Sequence, residues 1–69
     1  MKSRIAQLRK EQKLSQEELA SAVGVTRQTI TSLETGKYTA SLVLAYKIAR
    51  FFHSSIEEIF DFSEIKEEQ

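Results

Sequence analysis

Apolar and polar positions alternate along the chain at helical rather than strand spacing, and they divide it into five short stretches. In the first, Ile5 and Leu8 point one way and Lys2, Arg4 and Lys10 the other, which predicts a helix over residues 3–12. Ser15 followed three residues later by Glu18 is a capping box, so a second helix is predicted to start near Gln16. Leu19, Ala20 and Val23 give it a narrow apolar face, and Gly24, a residue free to take positive φ, ends it. Thr26 is placed to cap a third helix. In that helix Ile30 and Leu33 face inward, while Arg27, Gln28, Thr31 and Ser32 have no apolar neighbours on their side, and Gly36 closes it. Ser41 is placed to cap a fourth helix from Leu42 to Phe52, with Leu42, Ala45, Ile48, Ala49 and Phe52 expected inward. Val43, Leu44, Tyr46 and Phe51 leave this helix apolar nearly all round, so it is expected to be covered on more than one side, by the tail or by another subunit. Ser55 and Glu58 form a second capping box, predicting a short helix from Ile56 to about Phe60. Ile56, Ile59, Phe60, Phe62 and Ile65 continue an apolar stripe up to an acidic end.

These elements predict an all-α fold. A short buried helix, a glycine turn and a second helix with an uncovered polar face make a helix-turn-helix. The chain has no proline and two glycines, both at predicted turns, and shows neither strand alternation nor an Asn-Gly hairpin signal. Its 69 residues allow one domain with one small core, assigned to residues 1–62, followed by a short acidic tail over 63–69 that is expected to fray. The absence of cysteine rules out a disulfide framework and thiolate metal sites and fits a reducing cytoplasm. No signal-peptide core and no membrane-spanning run is present, so a soluble cytoplasmic protein is expected, with no membrane partner.

The net charge of zero conceals an asymmetry. Residues 1–50 carry nine Lys and Arg against four Glu, whereas residues 51–69 carry one Lys against six acidic residues. Local charge, not the total, sets attraction to phosphate, so a basic body suited to nucleic acid is attached to an acidic end. No set of nucleophile, base and oxyanion donors converges, and no glycine-rich phosphate loop is present, which excludes an enzyme and calls for no cofactor. Glu17 and Glu18 suit a helix start through its dipole without any catalytic role. His53, with no Cys or second His nearby, is a poor metal ligand, so no metal site is expected.

The motif LSQEELA…GVTRQTI…LE.GK resembles the Cro/CI-type (XRE-family) helix-turn-helix repressors, through the joint spacing of Gln16, Ala20, Gly24, Ile30, Leu33, Glu34 and Gly36. The likeness extends from Ile5 to Phe60 and implies a compact five-helix, lambda-repressor-like DNA-binding domain. It also implies an ion pair between Arg9 and Glu34 that ties the first helix to the end of the third. Gln16 matches a glutamine that donates to a backbone phosphate, aided by the helix N-terminus. Lys37 and Tyr38 are placed beside the DNA backbone by the same likeness, in a loop where Ala40 stands at a position that is often proline. His53 stands where the family usually has glycine, so a left-handed conformation is expected there. The C-terminal region contributes to a symmetric dimer in related repressors, and Phe51, Phe60, Phe62 and Ile65 are the residues expected at that interface.

For the third helix, side-chain chemistry supplies the candidates. Arginine pairs with both acceptors of a guanine edge and glutamine with the acceptor and donor of adenine, so Arg27 and Gln28 are candidates for base contacts, with Ser32 on the same side. A phosphate contact for Arg27 is the alternative, which would position the protein without specifying sequence. Thr29 offers either a thymine-methyl contact or simple packing, and Thr26 and Thr31 suit phosphate. The reading that results is a sequence-specific regulator of double-stranded DNA, a repressor acting as a homodimer on an inverted-repeat operator. The alternative is an antitoxin-like protein-interaction module whose apolar fourth helix and C-terminal segment bind an unidentified protein.

Overall fold

The computed structural model describes residues 1–63 and 65. Glu64 and residues 66–69 of the predicted acidic tail lie outside the described residues. Five helices follow in order: α1 Ile5–Glu11, α2 Gln16–Val23, α3 Arg27–Glu34, α4 Leu42–Phe51 and α5 Ile56–Ile59. Among the described residues no segment forms a strand; a single antiparallel bridge joins Ser3 to Phe60.

Helix starts are set by hydroxyl caps, each accepting from the backbone N–H three residues on, at Ser15, Thr26, Ser41 and Ser55. Ser15 and Ser55 complete capping boxes, because Glu18 and Glu58 reach back to the cap N–H groups at 2.8 and 2.9 Å. Their carboxyls are held below the ordinary value, chiefly by those backbone hydrogen bonds.

The four longer helices end alike. In each, an N–H bonds the carbonyl five residues back across one residue of positive φ: Leu14 to Arg9 past Lys13, Val25 to Ala20 past Gly24, Lys37 to Ser32 past Gly36, and Ser54 to Ala49 past His53. The first helix starts two residues later than its apolar pattern predicts. Residues 2–4 pair instead with the end of α5, through Arg4 N–H to Ile59 O at 2.7 Å and Asp61 N–H to Lys2 O at 2.9 Å.

Every helix contributes to one core. Ile5, Leu19, Ile30, Leu33, Ile48 and Ile59 are at its centre, and Phe52 and Phe60 close one side. α3 rests on α2 and α1, while α4 bridges α2 and α5. In α4 the buried stripe is Leu44, Ala45, Ile48 and Ala49, continued by Phe52. Leu42, expected inward, is 77% exposed. It occupies the first position of the helix at the edge of that stripe, beyond the packed layer, and Leu44 fills the inward place. Phe60, expected at an interface between copies, is 5% exposed and belongs to this chain's own core. Phe51, also expected there, is half-buried and meets Phe52 edge to face with ring centroids 5.0 Å apart.

Candidate nucleic-acid interface

α3 is anchored before it is functional. Its apolar side, Ile30 and Leu33, is buried against α2, and its C-terminal Glu34 is clamped by a polar brace. Arg9 Nε and Nη2 donate to the two carboxylate oxygens of Glu34 at 2.7 and 3.2 Å, a bidentate pair, while Arg9 Nη1 donates to the Leu14 carbonyl at 2.8 Å. The two side chains are only 12% and 7% exposed. Burial alone would raise the Glu34 carboxyl. Hydrogen bonds from Arg9 and Gln16, with the charges of Arg9 and Lys10, outweigh it and hold that carboxyl below its ordinary value. The Arg9 guanidinium is raised in return, chiefly by its hydrogen bond to Glu34.

Gln16 extends the brace to the start of α2. Its Nε2 donates to Glu34 Oε1 at 3.0 Å, and its Oε1 accepts from the Thr31 hydroxyl at 3.1 Å. Gln16 and Thr31 thus face each other between the two helices and are half-buried. One Nε2 hydrogen of Gln16 remains for an outside acceptor, since an amide nitrogen carries two. The Thr31 hydroxyl is already committed, to Gln16 or to the Arg27 carbonyl at 3.2 Å. Sequence reasoning placed Gln16, Thr31 and Glu34 separately; that one amide links the other two is a three-dimensional fact with no local signal.

On the outer side of α3, Thr26, Gln28, Thr29, Ser32 and Tyr38 line one recess of about 280 Å³. Thr26 caps the helix, and its hydroxyl lies 3.0 Å from that of Thr29. Four of these side chains come from one helix turn and a half, and Tyr38 is brought to them by the loop that Gly36 turns. Arg27 and Lys37 are exposed on either side of α3, at its first turn and beyond its last, and do not line the recess. The structure therefore brings Gln28, Thr29, Ser32, Thr26 and Tyr38 together, and sets Gln16 and Thr31 in the brace behind them. Lys47, not singled out from the sequence, borders an adjoining groove with Thr29 and Tyr38.

A helix-turn-helix with a buried rear face and an exposed polar front defines the class of a DNA-binding domain. Comparison with known proteins places the chain within that class. The helix-turn-helix family pattern covers residues 5–59. An uncharacterized HTH-type transcriptional regulator of Archaeoglobus fulgidus is 56% identical over 64 residues, which span 93% of this chain and 90% of that protein. The transcriptional repressor RstR of the cryptic phage CTXphi in Vibrio cholerae is 37% identical over 62 residues, 90% of this chain and 56% of that protein. Among solved structures, the restriction-modification controller protein C.AhdI of Aeromonas hydrophila superposes with a TM-score of 0.75 at 35% identity, over 83% of this chain and 86% of that one. The chain belongs to the Cro/CI-type (XRE-family) helix-turn-helix family of DNA-binding transcriptional regulators. No described helix is long and apolar enough to cross a membrane.

Proposed function

We propose that this protein is a cytoplasmic transcriptional repressor that binds an inverted-repeat operator as a homodimer, each copy laying α3 in a major groove. The observation that carries the reading is the outer recess of α3, whose polar lining of Gln28, Thr29 and Ser32 is presented by a helix fixed from behind. Gln28, with Arg27 beside it at the helix start, supplies donors and acceptors for base edges, and Ser32 and Thr29 add a hydroxyl and a methyl. Gln16 keeps one hydrogen for a phosphate at the α2 N-terminus, and Lys37 and Tyr38 flank the backbone. The likeness to a protein named as a repressor supports the sign of regulation. Exposed Phe62 and Ile65 form the face through which copies associate, whereas Phe51 lines the separate groove between α2 and α4.

A second reading, a protein-interaction module, is favoured by one observation. Leu42, Val43, Tyr46 and Phe62 are 77%, 64%, 56% and 41% exposed, much apolar surface for a chain this small. Binding-site selection from a random duplex pool separates the two. Enrichment of an inverted repeat with half-site centres about 10 bp apart supports the repressor. Weak, salt-sensitive binding without enrichment refutes it in favour of the module.

A further inference from the structure

The recess beside α3 does not end at Tyr38. Thr29 and Tyr38 also line a groove of about 290 Å³ that passes the Gly24 turn and reaches Lys47. Lys47 in turn lines, with Tyr46 and Arg50, a wider groove of about 750 Å³ between the C-terminal end of α2 and α4. Arg50 borders the next hollow, shared with His53 and Ser54. Four depressions thus share lining residues in sequence, and among the described residues none of those lining them is acidic. Lys47 and Arg50 are exposed and stand three residues apart on one side of α4, and the Arg50 guanidinium lies 6.0 Å from the centre of the Tyr46 ring, which steadies it. Among the described residues the ion pair formed is Arg9 with Glu34, so neither cation has a carboxylate partner there.

We infer that this strip binds the sugar–phosphate backbone of the same duplex, beyond the base pairs faced by α3, with Lys47 and Arg50 each neutralising one phosphate. The inference rests on the DNA-binding reading of α3. Succession decides the ligand: neighbouring depressions that lead from α3 to Arg50, carry cations and among the described residues offer no carboxylate suit a polyanion whose charge repeats along its length. Three residues of helix rise about 4.5 Å, and successive phosphates of one strand are separated by about 3.4 Å of axial rise. Two long side chains so spaced can reach neighbouring phosphates. Such contacts add affinity and register without adding base preference.

The test measures affinity for a selected duplex against salt concentration, with wild type, Lys47→Ala/Arg50→Ala, and Lys2→Ala/Lys13→Ala as a control of equal charge. All four positions are exposed, and circular dichroism checks that each variant folds. Losing two phosphate contacts per copy, four in the dimer, should reduce the slope of log Kd on log salt by about 3.6, leave the selected sequence unchanged, and leave the control with the wild-type slope. Trimming the duplex flanks should bring wild type down to the affinity of the double variant and leave that variant unaffected. An unchanged slope with selective binding intact overturns the inference while the α3 reading stands. An equal drop in the control also overturns it, because bulk charge would then account for the effect. A double variant that binds DNA as wild type does but dissociates in sedimentation assigns the strip to protein carboxylates instead. Failure of wild type to select any duplex removes both readings.

Discussion

α3 and α4 are built by the same local devices and finished in opposite ways. Each starts at a hydroxyl cap and ends at a residue of positive φ, and each buries one apolar stripe in the core. What they leave outside differs. α3 shows Arg27 and Gln28 to solvent, with Thr29 and Ser32 half-exposed, and its end is fixed by a carboxylate that receives donors from two other helices. α4 shows Leu42, Val43 and Tyr46 beside Lys47 and Arg50, without a comparable brace among the described residues. A polar face held rigid from behind suits recognition, where donors must arrive in fixed positions. An apolar face with few polar partners gains most by removal from water. Surface chemistry, not helix construction, separates the two helices.

The largest effect is expected at the brace. Glu34→Ala leaves a mostly buried guanidinium uncompensated and should cost about 3–5 kcal/mol of stability in urea unfolding. Replacing both partners, Arg9→Met with Glu34→Leu, should recover most of that loss, because no buried charge is stranded. Acid acts on the same pair. A carboxyl held below its ordinary value contributes stability that is fully present above about pH 4.3 and is lost as pH falls through its lowered folded value. Unfolding titrations from pH 7 to pH 3 should therefore show a steeper decline for wild type than for Glu34→Gln, with Glu18 and Glu58 adding a decline common to both.

Function at α3 should respond without stability. Arg27→Ala should weaken operator binding by about 1–3 kcal/mol and blur one base position, with the urea midpoint unchanged, as read by binding-site selection. At the α4 side the converse is expected. Phe62→Ser should raise the dimer dissociation constant about tenfold, or roughly 1.4 kcal/mol, in sedimentation equilibrium, while the selected half-site stays the same. The smallest effect sharpens what the two helices share. Lys13 closes α1 at φ 58°, where a side chain is strained, so Lys13→Gly should stabilise the fold by about 0.5–1 kcal/mol.

Much of the fold was legible because its signals are local. Ser15 with Glu18, Ser55 with Glu58, and Gly24 with Gly36 mark helix ends through hydrogen bonds spanning three to five residues, and those ends stand where the pattern predicts. Lys13 was not legible as a helix-ending residue, since lysine carries no preference for positive φ. Leu42 was misplaced because a helical pattern specifies a face but not where along the helix the packed layer stops. Ser3 was drawn into α1 because its partner, Phe60, is 57 residues away. At the site, the chemistry of the α3 side chains could be read directly. The sharing of Gln16 between Glu34 and Thr31, the gathering of Tyr38 with Gln28, and the run of grooves to Arg50 depend on how helices cross, which no local pattern encodes.

The pairing of residues 2–4 with 59–61 joins segments far apart in the chain. Closing a loop of that length costs more entropy than closing the short turn between α2 and α3, so the cap-and-turn units should form before the terminal clasp. In hydrogen exchange the Arg4 and Asp61 amides should open ahead of those of α2 and α3. The Met1 ammonium donates to the Gly36 carbonyl at 3.2 Å, so the same clasp reaches the loop that carries Tyr38. Its opening would unlatch one end of the recess beside α3 while the centre of the molecule stays folded.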